Sequence, residues 1–255
     1  MLLKGAVAII SGAGQGLGRG TAEYMAKMGA KVVIADINGS QVSQVAKEIG
    51  SSAIGCTVDV TDEAQVRAAM DDACNKWGKL DVAVSCAGIL APGRTLSKRG
   101  PMDLNKFANV MNVNVNGTFN VVRLAAEKMA LNAPNENGER GVIVNTSSIA
   151  YQDGQIGQVA YAASKGAIAS MTLPIARDLA SQGIRICALA PGIFMTPMMA
   201  ELTEDQVAAL CSNVPFPSRL GQPEEFAQMV ESIVTNPMLN GEVIRLDAAL
   251  RMQPK

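Results

Sequence analysis

Three side chains in the stretch NTSSIAYQDGQIGQVAYAASKG (residues 145–166) have the types and spacing for proton transfer at a carbon–oxygen bond: Ser148, Tyr161 and Lys165. Tyr161 and Lys165 are four residues apart in a segment of helical period, so their side chains share a face and can meet. Ser148 stands 13 residues before Tyr161, just after the strand-like run GVIV. A phenol ordinarily titrates at about 10, which makes it a poor base at neutral pH, but an adjacent ammonium favours the phenolate. Lys165 is therefore expected to activate Tyr161 while the Ser148 hydroxyl holds the substrate oxygen. The chain has no histidine, which excludes Ser-His-Asp chemistry, HExxH zinc chemistry and every imidazole base. No metal site is expected either. Cys56, Cys74, Cys86, Cys187 and Cys211 form no paired motif and read as small buried thiols of a reducing compartment.

A second pattern, SGAGQGLGRG (11–20), follows the apolar run GAVAIIS and opens a helix. Gly12, Gly16 and Gly18 let the backbone turn tightly and approach a pyrophosphate, which the free N–H groups of the helix N-terminus attract. Ser11, Gln15 and Leu17 belong to the same turn. The next strand-like run, KVVIAD, ends in Asp36, 18 residues beyond Gly18, where a carboxylate accepts ribose hydroxyls and repels a 2′-phosphate. Neither Ile37 nor Asn38 offsets that repulsion, so the expected cofactor is NAD(H).

The elements that must position these groups alternate along the whole chain. Short β-branched runs (GAVAIIS, KVVIAD, SAIGCTVDV, DVAVSCAG, GVIVNTSS, IRICALAP, EVIRLD) are separated by helix-period segments at 16–28, 40–49, 62–76, 104–130, 158–181, 198–212 and 223–235. That order predicts a single Rossmann-like doubly wound α/β domain over residues 1–255, with a parallel seven-stranded sheet and helices on both faces. Ligands of such sheets bind beyond the carboxyl ends of the strands, where the strand order reverses. The 22 Lys and Arg nearly balance the 23 Asp and Glu, so no long-range field is expected to draw in nucleic acid or a membrane surface. The opening MLLKGAVAII has strand character and no leader character, and a cytoplasmic location is expected, or the mitochondrial matrix in a eukaryote.

The glycine pattern from Ser11 to Gly18, Asp59-Val60, Cys86-Ala87-Gly88, Asn114 within NVNVNGTFN, Ser148, Tyr161-x-x-x-Lys165 and PGIFMTP (191–197) together resemble the short-chain dehydrogenase/reductase family from end to end. The resemblance implies that Tyr161 is the acid/base, that Lys165 lowers its pKa and bonds the nicotinamide ribose, that Ser148 orients the carbonyl or alcohol, and that Asn114 holds a water of a proton relay. It also implies adenine contacts at Asp59 and Val60, a ribose-side lining of Cys86, Ala87 and Gly88, and a nicotinamide turn of Pro191, Gly192, Ile193 and Thr196. Three positions depart from the family's pattern: Ser11 for Thr, Ser85 for Asn, and LDAAL (246–250) for Asp-Gly-Gly.

Longer stretches, among them MTLPIARDLA and VPFPSRLG, are similar to the branch of type II 3-hydroxyacyl-CoA dehydrogenases. That similarity implies a small-molecule substrate, the interconversion of L-3-hydroxyacyl-CoA and 3-oxoacyl-CoA, and a homotetramer. A 3-oxoacyl-carrier-protein reductase, a hydroxysteroid dehydrogenase, and a dinucleotide-binding scaffold or RNA-processing subunit are the alternatives. Arg94, Lys98 and Arg99, in the loop after the fourth strand, either meet the phosphates of coenzyme A or form a solvated basic loop. The methionine-rich stretch MTPMMAELTEDQVAAL (195–210) is either an apolar lid over an acyl chain or a surface helix.

Overall fold

Runs such as VAIIS and KVVIAD offer apolar side chains to both faces, so they form strands only where helices cover both sides. In the computed structural model, which describes residues 1–200 and 203–254, they are covered in this way. The first part of the chain alternates β1 (Val7–Ser11), α1 (Gly16–Lys27), β2 (Lys31–Asp36), α2 (Gly39–Ile49), β3 (Ala53–Thr57), α3 (Glu63–Trp77) and β4 (Val82–Ser85). A small antiparallel hairpin, β5 (Leu96–Ser97) and β6 (Gly100–Pro101), interrupts the next loop. There follow α4 (Leu104–Met111), a π-helical segment (Asn112–Gly117), α5 (Thr118–Met129), β7 (Gly141–Thr146), α6 (Val159–Leu179) and β8 (Ile184–Pro191). The last elements are α7 (Pro197–Ala200), α8 (Glu204–Cys211), α9 (Pro223–Thr235) and β9 (Val243–Leu246).

The expected seven-stranded sheet is present, parallel throughout, in the order β3-β2-β1-β4-β7-β8-β9. The order reverses between β1 and β4. Pairing of Ser11 with Ser85 and of Ser85 with Asn145 brings the carboxyl ends of β1, β4 and β7 level there. Alternate residues serve the two layers: Ile10, Ile34 and Val84 pack with Met25, Val45 and Phe226 of α1, α2 and α9. Ile9, Val33 and Ile143 pack with Met70, Leu124 and Ile175 of α3, α5 and α6. Among the described residues no helix is long and apolar enough to cross a membrane.

Two predicted helices differ. The segment 104–130 is broken by the π-helical turn, where Gly117 lies so close to Val60 that a Cβ would stand 2.5 Å from its Cγ2. The segment 198–212 is split into α7 and α8, and residues 201 and 202, which the lid reading spans, lie outside the described residues. The exchange at Ser85 also has a visible consequence. Its hydroxyl and both amide atoms of its cross-strand neighbour Asn145 are buried without a hydrogen-bond partner among the described residues.

Arg185, buried on β8, fastens the far edge of the sheet. Its Nε donates to Glu139 (2.6 Å), and its other nitrogens donate to the carbonyls of Ile233 (2.8 Å), Val234 (3.0 Å) and Leu239 (2.6 Å), which the end of α9 leaves free. Arg185→Ala strands three carbonyls at once and takes one cation from Glu139, which keeps the Met1 ammonium (2.9 Å) and Asn135 (3.1 Å). The expected loss is about 3–5 kcal/mol of unfolding free energy in urea titrations; a loss below about 1 kcal/mol would show that the guanidinium is not the fastening.

Candidate active site

The two serines after β7 are turned to different tasks. Ser147 is buried and donates to the carbonyl of Lys165 (2.8 Å), which docks α6 onto the strand end. Ser148 has extended backbone and caps the short 3-10 turn Ile149–Tyr151, its Oγ accepting from Ala150 N (3.2 Å). Its hydroxyl neighbours that of Tyr161, on the first turn of α6, closely enough to favour the phenolate.

Lys165, one turn further on, is 5% exposed. Its Nζ donates to the Thr146 carbonyl (2.7 Å) and lies 5.6 Å from the centre of the Tyr161 ring. Burial pushes Tyr161 above its ordinary value, and the neighbouring Ser148 hydroxyl pulls it back. The lysine itself is pushed down to about 8 by burial.

Asn114 sits in the π-helical turn, fully buried. Its Oδ1 accepts from Ile89 N (2.8 Å), and its Nδ2 donates to Ile89 O (2.9 Å) and Ser164 Oγ (3.0 Å). The side chain thus ties the loop after β4 to α6, with both Nδ2 hydrogens used and one lone pair of Oδ1 left.

Beside this cluster a cleft of about 510 Å³ runs over the ends of β1, β2 and β4. Gly12, Gln15, Gly16, Leu17 and Gly18 line one side, and Cys86, Ala87, Gly88, Asp59 and Val60 another. Asp36 closes the far end and Thr196 covers the mouth. A Cβ on Gly12 would stand 2.6 Å from Ala87 N, and one on Gly18 would stand 2.2 Å from Gly12 O, so only glycine permits this turn to close against the sheet. Asp36 Oδ2 accepts from Gly14 N (3.0 Å) and Oδ1 from Asn38 N (3.0 Å), which orients the carboxylate while leaving lone pairs for a ligand. Gly88 joins cleft and cluster: a Cβ there would lie 3.2 Å from Asn114 Oδ1 and 3.7 Å from Lys165 Nζ. A dinucleotide fits this donor set, with close-approach glycines at a helix N-terminus and a carboxylate one strand away.

The remaining predicted residues stand outside the lining. Ser11 is buried at the end of β1, its Oγ accepting from Ala87 N (3.4 Å). Pro191 ends β8, Gly192 N donates to Leu246 O (2.9 Å), and Ile193 lines a separate apolar pocket of about 230 Å³ with Phe194, Val214 and Leu246. A groove of about 520 Å³ lies between Arg94 and Leu96 and the stretch Gly154–Val159, with Ala162 of α6 in its lining. Lys98 and Arg99 are exposed at the hairpin turn and do not line it. Sequence reasoning missed Thr146, Ile89 and Ser164; the first two act through main-chain atoms, which no side-chain pattern advertises. Among the described residues no group of three or more His, Cys, Asp or Glu could hold a metal ion.

A glycine-lined crevice at the switch point of a parallel sheet, with a Ser-Tyr-Lys cluster at its edge, defines the class of doubly wound oxidoreductases. The model of the short chain dehydrogenase family matches residues 6–207, and the chain belongs to that family. It is similar to 3-hydroxyacyl-CoA dehydrogenase type-2 of Drosophila melanogaster, with 52% identity over 255 residues that cover 99% of this chain and 100% of the relative. The crystal structure of 3-hydroxyacyl-CoA dehydrogenase type-2 from Mycobacterium avium superposes with a TM-score of 0.95 at 43% identity, covering 98% of each chain. That of a 3-ketoacyl-(acyl-carrier-protein) reductase from Brucella melitensis, complexed with NADH, superposes with a TM-score of 0.87 at 30% identity, covering 98% of this chain and 100% of the other.

Burying Lys165 has a consequence for stability. A lysine of the unfolded chain titrates at about 10.4, whereas Lys165 in the fold titrates at about 8. Between these values the unfolded chain holds the extra proton, so this group's contribution to stability rises with pH across that window and is least favourable below it. Lys165→Met is therefore expected to be more stable than the parent at neutral pH, by on the order of 1–3 kcal/mol. The gap should close as the pH rises through the window. Denaturation curves at neutral and alkaline pH check this, and a variant weaker than the parent at neutral pH would show that the bond to Thr146 outweighs desolvation.

Proposed function

We propose that this chain is an NAD(H)-dependent oxidoreductase that interconverts a secondary alcohol and a ketone, with L-3-hydroxyacyl-CoA and 3-oxoacyl-CoA as its substrate pair. The observation that carries the reading is the juxtaposition of Ser148, Tyr161 and Lys165, joined through Gly88 to a glycine-lined cleft that also holds Asp36. NAD(H), when bound, supplies or takes the hydride. Asp36 holds the adenosine ribose, the turn from Gly12 to Gly18 the pyrophosphate, Asp59 and Val60 the adenine, and Lys165 and Thr196 the nicotinamide end.

The chain's own residues then handle the oxygen. In the reducing direction Ser148 donates a hydrogen bond to the carbonyl oxygen and Tyr161 delivers the proton; in the oxidising direction Tyr161 takes it back. A phenol raised by burial holds its proton at neutral pH until a partner favours the phenolate. The acyl-CoA assignment is supported by the relatives' names and by Arg94 on the wall of the groove that Ala162 of α6 also lines. A homotetramer belongs to the same reading: Leu104, Phe119, Val159 and Leu173 leave apolar surface exposed on α4, α5 and α6.

The deciding assay is NADH oxidation with acetoacetyl-CoA, run beside NADPH and beside a β-keto ester lacking CoA. Turnover that prefers NADH and the thioester is expected; preference for NADPH would point to a carrier-protein reductase, and equal use of the free ester would remove CoA from the assignment. Tyr161→Phe is expected to lower kcat by at least about 100-fold while changing the NADH Kd less than about twofold. Asp36→Ala should raise the NADPH-to-NADH ratio of kcat/KM by about tenfold or more, the loss of one full charge repulsion. An unchanged ratio would take Asp36 out of the cofactor site.

A further inference from the structure

Ala248 and Ala249 have φ of +52° and +63°, the left-handed region that a residue with a Cβ enters only when its surroundings hold it there. Ala248 packs on Ile149, Val214 and Leu250, and polar groups hold the rest of the turn. Asp247 Oδ1 accepts from Ala249 N (3.1 Å), and Asp247 O accepts from Leu250 N (2.9 Å). Asp247 Oδ2 is gripped by Arg245 Nε (2.7 Å) and Arg251 (3.2 Å). Arg245 reaches three further acceptors: Asp153 Oδ2 (2.6 Å), Gln152 Oε1 (2.9 Å) and Leu250 O (3.0 Å). Its side chain is 16% exposed, and those of Asp153 and Asp247 are 14% and 8% exposed.

This turn sends residues 250–254 alongside the segment that joins Ser148 to Tyr161. Ile156 N donates to Pro254 O (3.0 Å), Gln155 Nε2 donates to Gln253 O (2.9 Å), and Leu250 packs on Ile149 and Val214. The joining segment has a single 3-10 turn as its regular structure, yet Gly154–Val159 form one wall of the groove that faces Arg94 and Leu96. Its two ends carry the two hydroxyls of the cluster, and a displacement of about 1 Å between reacting groups costs about 100-fold in rate.

We propose that Arg245 is a positioning residue for the Ser148–Tyr161 pair: by pinning Gln152 and Asp153 to Asp247 and to residues 250–254, it sets the spacing of the two hydroxyls and the near wall of the substrate groove. The inference rests on the reading of that pair as the carbonyl-handling groups. Arginine is required because its planar fork addresses four acceptors in fixed directions, which an ammonium cannot do. Arg245 and its partners lie outside the lining of the cofactor cleft, and Gln152 and Asp153 directly precede the groove wall that starts at Gly154.

The test compares Arg245→Met and Arg245→Lys with the parent by acetoacetyl-CoA kinetics, NADH fluorescence titration and hydrogen–deuterium exchange. For Arg245→Met, kcat is expected to fall about 10- to 100-fold and KM for acetoacetyl-CoA to rise, with the NADH Kd within about twofold of the parent. Exchange over residues 149–158 should speed up by about tenfold or more. Arg245→Lys should recover only part of the kcat, and Asp153→Asn should add little to Arg245→Met because both break one network. A kcat within about twofold of the parent overturns the proposal, as does an NADH affinity that falls in parallel with kcat, which is the mark of a general folding role. A parent that does not turn over acetoacetyl-CoA refutes the substrate assignment instead; the exchange comparison then decides on Arg245, with unchanged protection of 149–158 against it.

Discussion

The hydrogen bond from Lys165 to the Thr146 carbonyl is the contact on which the site depends. It joins α6 to the end of β7 at the level where the neighbouring strands also end, and it does so with a buried ammonium. Such a group is stable only where every direction around it is satisfied or where its charge is given up. The fold takes a middle course, lowering the lysine's proton affinity to about 8 while giving the ammonium one fixed acceptor. A second bond, from Ser147 to the lysine's own carbonyl, locks the same two elements from the other side. With α6 docked this way, Tyr161 meets Ser148 without either needing a long flexible reach.

The same division of labour recurs around the cleft. Asn114 is held to the main chain of Ile89 by two bonds, and Asp36 is oriented by two backbone N–H groups. Each polar side chain that faces the ligand space is thus fixed by the main chain of an adjacent loop or strand end. Dipoles fixed before a ligand arrives need no reorganisation when charge develops, which is the main source of their catalytic value. The π-helical turn serves the same purpose: it lets Gly117 close on Val60 and aims Asn114 inward from a helix that otherwise faces the sheet.

Much of this was legible in the residue pattern, and for physical reasons. Unbroken β-branched runs signal burial on both faces, and the glycines and Asp36 follow strand ends at the distances a crevice needs. Side-chain types therefore located the cleft and the cluster. The pattern was silent on groups that act through their backbone, such as Thr146 and Ile89, and on long-range pairs, such as Arg245 with Gln152 and Asp153, whose partners lie 93 and 92 residues away. The four-residue spacing puts the Lys165 ammonium 5.6 Å from the Tyr161 ring, but spacing does not reveal the strand-end carbonyl of Thr146 that the same ammonium bonds at 2.7 Å.

Two of the exchanges noted in the sequence coincide with places where the fold departs from ideal satisfaction. At Ser85 a short side chain leaves its hydroxyl and the Asn145 amide without a partner among the described residues. At Ala248 and Ala249 the chain takes a path that glycine would follow freely. The first is a local loss, because the neighbouring ladder of β4 and β7 is intact around the three atoms. The second is offset by a concentrated network, two arginines on Asp247 and one of them on Asp153, and that network reaches the segment between Ser148 and Tyr161. Strain that is held by bonds leading to a reactive pair constrains that pair, whereas strain that is merely tolerated leads nowhere. The contrast between these two sites is what gives the alanine turn a place in the chemistry and leaves Ser85 outside it.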